Sequence, residues 1–275
     1  MLEDEFGDLI AKARGGLGVS ADELSRQTGI LHADIAAFEG YRKSPTREQS
    51  DALAGVLELD VAKLWAIAAE VWEPAAVTGM ISGSHPVDSV WYERYRVWTY
   101  VVGDLESKQC LIVDPGGDAN DTLAAVKRRG WEICAVLATH THGDHVGVLE
   151  SVVSESDTPV YVGDGEASAI RAKARNVIGV AHRMSLSAGP WTIEARLTPG
   201  HTAASTCFLI DDGIFVGDAM FAGSLGRTNP GAGAYREHIE SVRREILALP
   251  ASTQIFPGHG AQTTVAEELA NNPFF

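Results

Sequence analysis

Within six consecutive residues, His140 to His145, the chain carries three imidazoles and a carboxylate, in the run Thr139-His140-Thr141-His142-Gly143-Asp144-His145. The run follows an apolar stretch at 133–137 that reads as a buried strand. A loop so densely polar beside a buried strand is costly to desolvate unless a cation compensates it. Imidazole and carboxylate are ligands of borderline divalent metals, and two histidines two residues apart can reach one ion. Metal binding is therefore the first expectation.

Three further segments repeat the pattern of a strand ending in a glycine turn that offers one ligand. Pro199-Gly200-His201-Thr202 follows a strand at 192–197, Gly217-Asp218 follows one at 214–216, and Pro257-Gly258-His259-Gly260 follows one at 254–256. Glycine-containing loops at strand ends are where α/β proteins build sites. Each segment alone reads as an ordinary turn. Together they bring the candidate ligands to seven: His140, His142, Asp144, His145, His201, Asp218 and His259. Seven ligands suffice for two divalent ions.

The rest of the chain divides into two textures. Up to about residue 74 it reads as five short helices. Ser20 with Glu23 and Thr46 with Gln49 have the spacing of capping boxes, Asp60 caps the last helix, and Gly29 makes the tight turn between the second and third. From residue 75 to 275, strands at 97–102, 110–113, 133–137, 160–162, 192–197, 206–210, 214–216 and 254–256 interleave with helices at 120–129 and 235–247. That alternation is α/β architecture. The expected domains are thus 1–74, all-α, and 75–275.

The 275 residues hold 22 basic and 37 acidic side chains. A net charge of −15 counts against nucleic acid or anionic lipid as the main partner, because phosphate rewards Lys and Arg. No run approaches the ~20 apolar residues of a membrane span. The acidic N-terminus lacks the pattern of a secretory signal. Cys110, Cys134 and Cys207 each sit in an apolar run and make no disulfide framework. A reducing cytoplasm is the expected compartment.

The order His-x-His-x-Asp-His, then His201, Asp218 and His259, resembles the metallo-β-lactamase superfamily over roughly residues 76–275. The resemblance implies a four-layer αββα sandwich with two divalent ions at the sheet edges, zinc first, with iron or manganese as alternatives. It implies that His140, His142 and His201 hold one ion, that Asp144, His145 and His259 hold the other, and that Asp218 bridges. Asp114, in VDPGG, matches the family's strand-end Asp, which supports the site from behind the ligands.

Within the superfamily, the antibiotic-cleaving lactamases lack an equivalent of the bridging Asp218. RNA-processing members carry basic surface that this acidic chain does not have, and flavodiiron members replace a histidine corresponding to the intact His142. The SLGRTNPG stretch at 224–231, the FPGHG segment and Asn272-Pro273-Phe274 look most like short bacterial glyoxalase II-like hydrolases. Only 16 residues follow His259, so the resemblance does not reach the C-terminal helical domain with which full-length glyoxalase II clasps glutathione. The implied reaction is attack of a metal-bound hydroxide on a thioester or ester carbonyl, with Asp144 orienting the nucleophile. The implied substrate is a small thioester or thiol-derived molecule, and Arg227 is a candidate anchor for its carboxylate. Persulfide dioxygenases are close relatives, and they would use a single Fe(II) on His140, His201 and Asp218.

The segment ADELSRQTGILHADIAAFEGYRKSPT resembles helices two and three of the λ-repressor/Cro-like helix-turn-helix family. Residues 1–73, however, carry 14 acidic and 7 basic side chains. The would-be recognition helix shows His32, Ala33, Asp34, Ala36 and Ala37, with none of the Arg, Asn or Gln that read base edges. Only Arg42 and Lys43 stand ready to meet phosphate. The expected role of this segment is to dimerise the enzyme or to roof its site. A metabolite-sensing DNA-binding regulator is the remaining alternative.

Overall fold

A computed structural model describes residues 2–153, 156–228 and 232–275. Five helices open the chain: α1 (Phe6–Leu17), α2 (Ala21–Thr28), α3 (His32–Glu39), α4 (Arg47–Leu57) and α5 (Val61–Ala68). The cap residues act largely as their side chains dictate. Thr46 Oγ1 accepts from the Gln49 N–H at 3.3 Å while Gln49 Oε1 accepts from the Thr46 N–H at 2.9 Å. Asp60 accepts from the N–H groups of Ala62 and Lys63. At α2 only half of the expected box forms. Ser20 Oγ accepts from the Glu23 N–H, but the Glu23 carboxylate turns to Gln27 and Arg26 instead. Its exposed i+3 and i+4 partners compete successfully with the cap.

Two sheets follow. The first has seven strands in sequence order: β1 (Met80–Ile81), β2 (His85–Tyr92), β3 (Val97–Gly103), β4 (Gln109–Val113), β5 (Glu132–Ala138), β6 (Val160–Gly163) and β7 (Val177–Val180). Strands β1 to β4 form an antiparallel meander, and β4 to β7 run parallel. The parallel connections carry α6 (Ala119–Arg129), α7 (Gly143–Val146), α8 (Leu149–Val153) and α9 (Ala167–Ile170). The second sheet contains β8 (Ser185–Ala188), β9 (Trp191–Leu197), β10 (Thr206–Ile210) and β11 (Gly213–Gly217). A small hairpin, β12 (Met220–Phe221) with β13 (Ser224–Leu225), stands apart. Helix α10 (Ala232–Val242) continues as a π turn, Arg243–Leu247, and leads to β14 (Gln254–Pro257), β15 (Thr263–Thr264) and α11 (Val265–Asn271). The order across the second sheet is β15-β14-β11-β10-β9-β8.

Period-two alternation sorts the side chains into layers. Phe208, Phe215 and Phe256 face the first sheet and join Tyr100, Leu111 and Val113 in a core between the sheets. Their neighbours Cys207, Ile214, Val216 and Ile255 point the other way. There they meet Leu9, Ile10, Leu53 and Leu57 of the helical segment, with Val242 and Ile246, in one continuous cluster. The outer face of the first sheet is covered by Val126, Leu149, Val152 and Ile170. The result is a helix–sheet–sheet–helix sandwich of mixed α/β class, and the helical segment supplies much of one outer layer. The three cysteines are free thiols. No helix among the described residues is long and apolar enough to cross a membrane.

Candidate metal centre

Five strand ends converge on one edge of the sandwich. β4 delivers Asp114, β5 delivers the 139–145 loop, β9 leads into His201, β11 into Asp218 and β14 into His259. His140 Nε2 and His201 Nε2 lie 3.1 and 3.0 Å from His142 Nδ1. Three ring nitrogens thus point at a common centre. On the far side of Asp218, His145 Nε2 is 3.2 Å and His259 Nε2 3.5 Å from Oδ1. Asp144 Oδ2 stands 3.5 Å from His259 Nε2 and 3.9 Å from His145 Nε2. The other Asp218 oxygen, Oδ2, faces His201 Nε2 at 3.5 Å. The Asp218 carboxylate therefore lies between both groups of ligands. Arrangements fit to hold a cation include the trio His140, His142 and His201 and the trio Asp144, His145 and His259.

The far nitrogens decide what the near ones can do. His201 Nδ1–H donates to the Arg227 carbonyl at 2.8 Å, and His259 Nδ1–H donates to the Arg96 carbonyl at 2.6 Å. His145 Nδ1–H donates to Asp114 Oδ2 at 2.9 Å. Thr139 gives its hydroxyl hydrogen to the same oxygen at 2.7 Å, so its Oγ1 accepts from His140 Nδ1–H at 3.1 Å. With the Nδ1 positions occupied by protons, Nε2 is the atom through which all four rings can bind a cation, in place of the second proton that Asp218 and Asp114 favour on His145 and that Asp144 favours on His259. His145 Nε2 and Asp218 Oδ1 are buried without a hydrogen-bond partner. Lone pairs of imidazole and carboxylate facing one another are what a divalent cation resolves, and the donor set fits one.

The field is correspondingly uneven. Burial opposes ionisation of Asp218, yet His145, His259 and His140 hold its carboxyl well below the usual carboxylate range. His259 beside Asp144 lowers that carboxyl to about 2. Burial, with His145 adding to it, pushes His140 well below the ordinary imidazole value. Close packing has a cost in residue choice. A Cβ at Gly258 would lie 2.5 Å from His145 Cε1 and 2.6 Å from Asp218 Oδ1, so only glycine fits there.

All seven sequence-derived ligands and Asp114 thus meet in one place. Arg227 lies beside them but spends no side-chain hydrogen bond on the described residues. It is 75% exposed, with Asp8 at 3.9 Å. Residues 229–231 of the SLGRTNPG stretch lie outside the described residues. Sequence reasoning missed three contributors. His238, held neutral at about 4 by burial, donates to the Pro199 carbonyl behind the His201 turn. Glu268, fully buried, ties α11 to the hairpin through Gly223. The third is the set of residues through which the helical segment, expected to dimerise the enzyme or to roof its site, reaches the site. A cavity of about 450 Å³ over the site is lined by His201, Asp218, His259, Arg94, Arg96 and Arg227 on one side. Glu3, Asp4, Asp8, Lys12 and Tyr41 line the other. No motif marks these residues; only the docking of α1 brings them there.

Comparison with known proteins agrees with this geometry. The family model described as Metallo-beta-lactamase superfamily matches residues 92–259. The Probable metallo-hydrolase YqgX of Bacillus subtilis (strain 168) is 32% identical over 187 residues, which is 62% of this chain and 89% of that protein. The crystal structure of the B3 metallo-beta-lactamase BLEG-1 has a TM-score of 0.61 and 29% identity over 68% of this chain and 98% of its own. That of ETHE1 from Myxococcus xanthus has a TM-score of 0.61 and 27% identity, over 68% and 83%. A family match across more than half of the residues, on a fold whose strand ends assemble the ligands described above, shows that this chain belongs to the metallo-beta-lactamase superfamily.

Proposed function

We propose that the chain is a metal-dependent hydrolase of thioesters or esters that works with two divalent ions, zinc first among them. The observation that carries the reading is the position of Asp218, one oxygen toward His145 and His259 and the other toward His201. His140, His142 and His201 would hold the first ion and Asp144, His145 and His259 the second, with Asp218 shared. Such ions lower the pKa of water and polarise a carbonyl oxygen. The residues do the rest. Asp144, ionised throughout the working range, orients the attacking water. Asp114 and Thr139 fix the tautomers of His145 and His140. Arg94, Arg96 and Arg227 gather at the cavity mouth of an otherwise acidic chain, Arg96 facing Glu3 at 3.5 Å, Arg227 facing Asp8 at 3.9 Å and Arg94 lying over the Tyr95 ring. Their planar forks suit a substrate carboxylate.

The helical segment acts as a roof over the cavity rather than as a DNA reader. The two cations available for phosphate are already engaged: Arg42 donates to the Ala36 carbonyl at 2.9 Å, and Lys43 pairs with Asp34 at 2.7 Å. A second reading, the single-iron persulfide dioxygenase, would draw on His140, His201 and Asp218. The 3.5 Å approach of His201 to Asp218 and the likeness to ETHE1 are compatible with it. One preparation loaded in turn with zinc and with iron separates the two. The hydrolase releases thiol from a panel of small thioesters, with S-lactoylglutathione a weak member. Oxygen uptake with glutathione persulfide and no thiol release would overturn the hydrolase.

A further inference from the structure

We propose that the start of the helical segment is built into the second metal position, with Glu3 and Lys12 as positioning residues for His259. The inference rests on the two-ion reading above. Three contacts carry it, each reaching His259 from a different side.

The first is along the chain. A Cβ on Gly260 would lie 2.8 Å from Glu3 Cβ and 2.9 Å from the Glu3 nitrogen, so the backbone at Glu3 rests directly on the residue after His259. The second runs through the ring's far nitrogen. His259 Nδ1–H donates to the Arg96 carbonyl at 2.6 Å, and the Arg96 guanidinium is paired with Glu3 Oε2 at 3.5 Å. Arg96 holds a φ of 53°, a left-handed backbone that an ordinary residue keeps only when its surroundings support it. The Glu3 carboxylate is part of that support. The third contact is with the ring itself. Phe221 stands nearly perpendicular to His259, 5.6 Å between ring centres, and the Lys12 ammonium lies 4.8 Å from the centre of Phe221. Lys12 is almost entirely buried, paired with Asp4 and donating to the Leu225 carbonyl at 2.8 Å. It therefore pins both ends of the β12–β13 hairpin to α1.

Among the described residues the first trio is tied to this segment less directly, through the 3.9 Å pair between Asp8 and the exposed Arg227, whose carbonyl holds His201, and through the packing of Gly16 on Tyr235 of α10, the helix whose His238 backs the His201 turn. Removing the anchors should therefore loosen one ion and spare the other. Outer partners that orient a metal-binding histidine are worth about 10–100-fold in affinity.

Cobalt(II) titration of the full-length chain, followed by calorimetry and by visible absorption, reads the two ions separately. In Glu3→Gln and Lys12→Met the first ion should bind within about 2-fold of wild type and the second about 10-fold more weakly, at the lower end of that range. Leu53→Ala, a cavity in the helical core away from the site, serves as the control for general loosening and should leave the second ion as tightly bound as in wild type. The inference is overturned if both variants keep the second ion, if both ions weaken equally, or if Leu53→Ala weakens the second ion as much as Lys12→Met does. A wild-type chain that takes up only one ion would overturn the two-ion reading itself. Two ions in wild type with unaffected variants would overturn this inference alone.

Discussion

Glu268 makes a buried charge legible as a pH dependence. It is fully buried, and its carboxyl accepts from Thr263 Oγ1 at 2.8 Å, the Gly223 N–H at 3.0 Å and Asn272 Nδ2 at 2.8 Å. Burial outweighs these three donors and pushes its pKa up from 4.5 to about 7. Because the folded pKa lies above the unfolded one, the folded state binds more protons between the two values, and stability falls as pH rises through that window. Below it both states are protonated and nothing is lost; above it both are ionised and the loss is complete. The whole window corresponds to about 3 kcal/mol, of which about 2 kcal/mol falls between pH 5.5 and 8. Glu268→Gln mimics the protonated form, since an amide can donate to Thr263 while its oxygen accepts from Gly223 and Asn272. The assay is urea unfolding of wild type and variant at matched metal content across that range. The difference between them cancels the other titrating groups. The variant should gain on wild type by about 2 kcal/mol from pH 5.5 to 8. A difference that stays constant with pH, or one that shrinks, would refute the argument from burial.

Other consequences are as direct. Asp218→Ala should lose both ions and at least about 100-fold in activity, because two sets of ligands lose their charge compensation together; a variant with two ions and near-normal turnover would remove the bridge. Thr139→Val breaks the Asp114–Thr139–His140 chain, and first-ion affinity should fall about 10–100-fold while the fold persists; equilibrium dialysis against zinc reads this, and an unchanged affinity would contradict it. In mobility shifts with random and genomic DNA near physiological salt, no fragment should bind with nanomolar affinity. A sequence-specific complex would return the helical segment to DNA recognition.

The ligands were legible because their chemistry is concentrated. Three imidazoles in six residues at the end of an apolar strand have few other uses, and His201, Asp218 and His259 each announce themselves after a strand and a glycine. The helices were legible through their caps, although Glu23 shows that a correct cap pair need not close when exposed partners compete. Strand β2 was not legible. His85, Asp88 and Ser89 interrupt its apolar pattern, and its identity comes from pairing with β3. Strands β7 and β8, four residues each, and the two-residue strands of the hairpin are too short for periodicity to speak. The contact of Glu3 with Gly260 joins opposite ends of the chain, and no local pattern can encode it. Arg42 and Lys43 illustrate the converse. In the sequence they look free for phosphate, and in the fold a carbonyl and a carboxylate have already claimed them.

Metal content of the purified chain tests the central claim most directly. After reconstitution with excess zinc, manganese or iron and removal of unbound ions, native mass spectrometry should find two ions per chain. At most one ion per chain under every condition would contradict a shared Asp218 and, with it, the two-ion hydrolase.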